Sequence, residues 1–177
     1  MFAGKRLAAV AAAAALAVQP TLASAQQACV TQAEVGAIAI YSTPNVLQAV
    51  RLKCGSELSQ RGYLARSGDA LGRRYTALQT RVWPKAKSGI IKWLGGRQGS
   101  AQGLDTLANL PDDAVRPLVD ALIVQEVSAK IDTRNCSRIE WVIEAMAPID
   151  PEVAGGVLGA VVGLVDPVQL PVCPRLS

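Results

Sequence analysis

The sequence predicts an all-α protein, a small bundle of about five to six helices, on three observations. Apolar residues recur at intervals of three and four, the starts of these periodic runs carry capping residues, and no run alternates with period two between Asn-Gly or Asp-Gly turns. With 177 residues, half of them hydrophobic, the chain is sized for one such domain rather than two.

Residues 1–25 are set apart from that domain. Lys5 and Arg6 precede an alanine-rich apolar run from Leu7 to Val18, and Ala23-Ser24-Ala25 supplies a small-x-small site, the pattern of a secretory signal cleaved before Gln26. The run is about 12 residues long, short of the roughly 20 that a spanning helix needs. The mature domain is therefore expected over 26–177, exported to a periplasmic or secreted location, with a net charge of +2 and no transmembrane span.

The first helix is predicted from Thr31-Gln-Ala-Glu34, a capping box in which threonine and glutamate each satisfy an orphan amide, and it is expected to end near Ile40. Thr43-Pro44 places a cap before a proline at a first helical position, predicting a second helix to about Cys54. From Leu58, the spacing of Leu64, Leu71 and Leu78 predicts a longer helix ending near Trp83-Pro84. Gly95 to Gly103 holds four glycines and no large apolar residue, which predicts a flexible loop. Ala114 to Lys130 reads as helix, with Pro117 near its start. Ser137-Arg-Ile-Glu140 has capping-box spacing and predicts a helix through Ala147. Asp150-Pro151 opens the last helix, Glu152 to about Val165, which is apolar on every side and is expected at the centre of the bundle. Its glycines at 155, 159 and 163 form a column along which a neighbouring helix can approach closely.

Four cysteines in an exported chain predict two disulfides, and none stands in C-x-x-C spacing, so no metal site or cofactor is expected. Cys29 and Cys136 each lie fourteen residues before a Thr-Pro-x-Val or Asp-Pro-x-Val run, so each precedes one helix of a predicted hairpin, with Cys54 and Cys173 at or past its end. Antiparallel hairpins then predict Cys29 with Cys54 and Cys136 with Cys173.

The absence of histidine excludes Ser/His/Asp and Cys/His catalysis, HExxH zinc sites and histidine pH switches. Charge is segregated. Arg51 to Arg97 carries eleven cations against two anions, and Gln98 to Ser177 carries five cations against eleven anions. The candidate contact surface for an anionic partner is Arg73, Arg74, Arg81, Trp83, Lys85, Lys87, Lys92 and Trp93, where lysines and tryptophans are interleaved as on proteins that meet anionic lipid. The expected role is thus a binding or structural module that meets anionic lipid or an envelope polymer. Export argues against nucleic acid. The alternative is a carboxylate-based hydrolase of envelope polymers built on Glu140 and Glu144, which an i, i+4 spacing places on one helical face, with Asp112, Asp113 and Asp120 as further acids.

Overall fold

A computed structural model describes residues 29–98, 108–165 and 172–173. Residues 1–25, where a secretory signal and its cleavage site are expected, and most of the glycine-rich stretch lie outside the described residues. Among the described residues there are five long helices and no strand: α1 (Gln32–Cys54), α2 (Tyr63–Gln98), α3 (Asp112–Lys130), α4 (Cys136–Met146), entered through a 3-10 turn at Thr133–Asn135, and α5 (Pro151–Val165). The all-α expectation holds, but several boundaries move.

The Thr31 capping box forms as read, with Thr31 Oγ1 accepting from the Glu34 amide at 3.2 Å and Glu34 Oε2 accepting from the Thr31 amide at 2.8 Å. The predicted break at Thr43-Pro44 does not occur, and α1 runs through Pro44. Proline removes the amide that would bond to the Ile40 carbonyl, while the hydroxyls of Ser42 and Thr43 donate to the carbonyls of Ile38 and Ala39, a back-bonding that helices tolerate with a bend. Burial outweighs the local cost, since eleven of the 23 residues of α1 are buried. Pro84 is likewise internal to α2, because Trp83, Ala86 and Ile90 beside it enter the core. The helix continues to Gln98 and takes in the first glycines of the stretch predicted as loop.

The core has two parts joined by α1. Leu47, Val50, Leu64, Leu71 and Tyr75 gather around the lower half of α1 with the α4 end of the molecule. Ala37, Tyr41, Trp83, Ile90, Val115 and Val119 join α1 to α2 and α3. Tyr41 stacks at 4.8 Å on Trp83, and its hydroxyl, with the Asn45 amide, donates to Asp120 Oδ1 at 2.8 Å. Asp120, one of the candidate acids, is thereby spent on stitching α3 to α1.

The predicted disulfide pairing is wrong. Cys29 bonds to Cys173 and Cys54 to Cys136. Because α1 is continuous, its 23 residues at 1.5 Å each carry Cys29 and Cys54 to opposite ends of a rod about 35 Å long, which no disulfide spans. Each cysteine instead reaches across to the α4–α5 unit. Beside one bond the Cys173 amide donates to the Val30 carbonyl at 3.0 Å.

The expectation for α5 is half corrected. Its glycine column does meet a helix: a Cβ on Gly159 would lie 2.3 Å from the Gln32 carbonyl oxygen, and one on Gly36 would lie 2.7 Å from the Gly155 carbonyl oxygen. The central helix, however, is α1, which contacts α2, α3 and α5. An apolar helix thus stands at the edge of the bundle with one side turned outward.

Candidate functional site

That outward side is the most distinctive surface on the molecule. Of twelve large hydrophobic residues exposed among the described residues, nine fall between Trp141 and Leu164, so the exposed apolar surface is concentrated on α4, α5 and their turn. On α5, Val153, Val157, Val161 and Leu164 follow the i, i+4, i+8, i+11 spacing of one helical face, and Leu164 is 71% exposed. On α4, Trp141 is 67% exposed, and Arg138 lies three residues before it on the same face. Val142, Met146 and Leu158 line an apolar groove of about 190 Å³ that is floored by Ile40, Leu71 and Tyr75. Burial holds the Tyr75 hydroxyl above its ordinary pKa, against the opposing pull of the Arg74 charge.

No single helix among the described residues is long and apolar enough to cross a membrane. Thr133–Met146 and Pro151–Leu164 have that length and composition only together, and they are bent by 115° at the break between them. Their shape is an angled hairpin laid on the bundle. The pair is clamped on both sides, by Cys136 at the start of α4 to Cys54 at the end of α1 and by Cys173, past α5, to Cys29, three residues before α1.

The eight residues of the candidate contact surface are dispersed in role. Trp83 is 1% exposed and belongs to the core. Lys92 donates to both oxygens of Glu34 at 2.8 and 3.0 Å. Lys87 donates to the Leu110 carbonyl and to Asp112. Arg81 pairs with Glu152 at 2.8 Å, and Arg74 donates to the carbonyls of Ala147 and Ile149 at the α4–α5 turn. Arg73 and Lys85 are exposed, whereas Trp93 is half-buried. The charge count along the chain was blind to these pairings, because the anions that answer α2 come from α1, α3 and α5.

Of the alternative acids, Glu140 does not cap its own helix. Its Oε1 accepts from the Leu64 amide at 2.9 Å, closing an orphan donor in the first turn of α2, and its carboxylate occupies the space that a Cβ on Gly62 would need. Glu144 is exposed. Sequence reasoning missed the exposed α4–α5 face, since an all-round apolar helix reads the same whether it is central or waits for a partner.

Glu34 is the one buried carboxylate among the described residues. Desolvation by burial pushes its pKa up and is the largest single influence, but donation from Lys92, the Thr31 amide, Ser88 and the Thr31 hydroxyl together outweigh it and hold the carboxyl below its ordinary value. A depressed folded-state pKa stabilises above the unfolded value and loses that contribution as pH falls through the folded one. Unfolding titrations should therefore show stability falling below about pH 4.5, with Glu34→Gln flattening that acid limb and costing about 2 kcal/mol at neutral pH. An unaltered acid limb in the variant would assign it to other carboxylates.

The chain matches no family model, no curated protein and no solved structure.

Proposed function

We propose that the mature protein is an exported, disulfide-stapled binding module that attaches to an anionic lipid surface through α4 and α5. The observation that carries this reading is the concentration of nine exposed hydrophobic residues on one angled hairpin, a surface of the kind that marks membrane or protein contact. Burying the exposed parts of Val153, Val157, Val161 and Leu164 contributes about 1 kcal/mol apiece. Trp141 has the position of an interfacial tryptophan. Exposed cations supply the attraction to anionic headgroups. Arg138 does so on the face itself, and Arg73 and Lys85 from α2, where long-range steering needs charge in the field rather than in contact. The hairpin clamped at both ends supports attachment in the plane of the surface rather than passage through it.

Sedimentation with vesicles tests this. The mature protein is expected to sediment with anionic vesicles and less with neutral ones, with Trp141 fluorescence shifting to the blue and with partial release as salt shortens the Debye length from about 10 Å at 0.1 M to 3 Å at 1 M. Val157→Asn together with Val161→Asn should weaken binding about tenfold or more, the equivalent of about 1.4 kcal/mol. Lys87→Gln, whose partners are internal, should weaken it little. Failure to bind either vesicle, or binding indifferent to the valine pair, would overturn the lipid reading.

A further inference from the structure

On α1 and the first half of α2, away from the residues of the α4–α5 face, lies a cleft of about 390 Å³, within the range of small-molecule sites. It exists because α2 carries glycines at 68 and 72, so no side chain fills the space opposite Leu47. The two glycines differ in what they permit. A Cβ on Gly72 would meet only Leu47 Cδ1, at 3.8 Å, whereas one on Gly68 would lie 2.7 Å from Arg51 Nη2. The Arg51 guanidinium is thus laid across Gly68. It is held there by Asp69 at 2.6 Å through Nη1 and by the Leu64 carbonyl at 3.4 Å through Nη2.

Arg73 lines the same cleft. Asp69 stands four residues before it, the spacing of a helical ion pair, yet Asp69 is taken by Arg51, and Arg73 has no ion pair among the described residues. Gln48, also on the lining, makes no side-chain hydrogen bond among them either. Leu47 and Leu52, on α1 beside Gln48 and Arg51, give the cleft an apolar part, and Leu52 is 67% exposed. The cleft therefore offers one uncompensated positive charge, the guanidinium fork of Arg73 suited to a planar or tetrahedral oxyanion with the remaining N–H donors of Arg51 nearby, an amide that can both donate and accept, and the aliphatic side chains of Leu47 and Leu52.

We infer that this cleft binds a sugar unit bearing one phosphate or carboxylate group, with the oxyanion on Arg73 and the free edge of Arg51, a hydroxyl on Gln48, and the C–H face of the ring against Leu47 and Leu52. The inference does not rest on the lipid contact: the apolar face of α4 and α5 takes no part in it, and the two share only Arg73, which in the lipid reading acts at a distance.

Calorimetric titration of the mature, disulfide-bonded protein with glucose 6-phosphate, glucuronate, glucose and inorganic phosphate tests it. At least one of the two anionic sugars should bind, and which of them does so tells phosphate from carboxylate. Glucose and inorganic phosphate should bind at least tenfold more weakly than that sugar. Arg73→Gln should weaken its binding at least tenfold. Gly72→Leu should fold, since a helix former replaces glycine where a Cβ meets only ordinary contact, and should abolish binding by filling the cleft; circular dichroism and vesicle sedimentation of this variant confirm the fold. No binding of either anionic sugar, unchanged binding in Arg73→Gln, or inorganic phosphate binding as tightly as the sugar would overturn the site.

Discussion

Gly159→Leu is expected to lower the unfolding free energy by about 3 kcal/mol or more, the upper end of the cost of overpacking. The reason is that the contact is backbone on backbone. A Cβ at 159 would stand 2.3 Å from the Gln32 carbonyl oxygen and 3.4 Å from the Gly36 amide nitrogen, and neither is a side chain that can rotate away. Relief requires α5 to move off α1, which opens the contacts of Gly155 with Ile40 and of Gly36 with Gly155 in the same step. At roughly 2–4 °C per kcal/mol for a chain of this size, thermal unfolding should fall by about 6–12 °C. Gly156 is the internal control: a Cβ there meets nothing within 4 Å, so Gly156→Ala should gain about 0.5–1 kcal/mol from helix propensity. A Gly159→Leu protein that melts with the parent would show that α5 is not held as described.

Removing either disulfide should cost more still. Cys29–Cys173 closes a separation of 144 residues and Cys54–Cys136 one of 82, and loop-closure entropy values these at about 5 and about 4.5 kcal/mol. The loops are nested, so removing both should cost less than the sum. Either loss is comparable with the whole stability of an ordinary domain, and the paired serine variants should unfold at much lower denaturant concentration. Peptide mapping without reduction should recover Cys29 joined to Cys173 and Cys54 joined to Cys136. Recovery of Cys29 joined to Cys54 would contradict the continuous α1. The functional consequence is specific: with Cys136 and Cys173 free, the α4–α5 hairpin loses both clamps while keeping its apolar face, so its vesicle attachment should become less dependent on the rest of the bundle.

The helical class, the start of α1 at its capping box and the start of α5 at Asp150-Pro151 were legible in the chain because they are local. Asp150 Oδ1 accepts from the amides of Glu152 and Val153, and every atom involved lies within a few residues. The glycine column was legible as a place of close approach for the same reason, since periodicity alone aligns 155, 159 and 163. The prolines were misread because their local cost is a few kcal/mol at most, and burial of neighbours such as Tyr41 and Trp83 exceeds it only once α2 and α3 are in place.

Sequence alone thus determined the helical class and the starts of α1 and α5, which helix has a face that a backbone can approach, and which catalytic classes a chain without histidine must forgo. Tertiary structure alone decided the cysteine partners, the use of Glu140 as a cap for α2 rather than for α4, the pairing of α2 cations with anions from three other helices, and the outward side of α5. These are all contacts between residues far apart in the chain, and their energies depend on distances that no local pattern encodes. An unbroken α1 sets those distances, because a continuous rod about 35 Å long dictates what can meet at each of its ends.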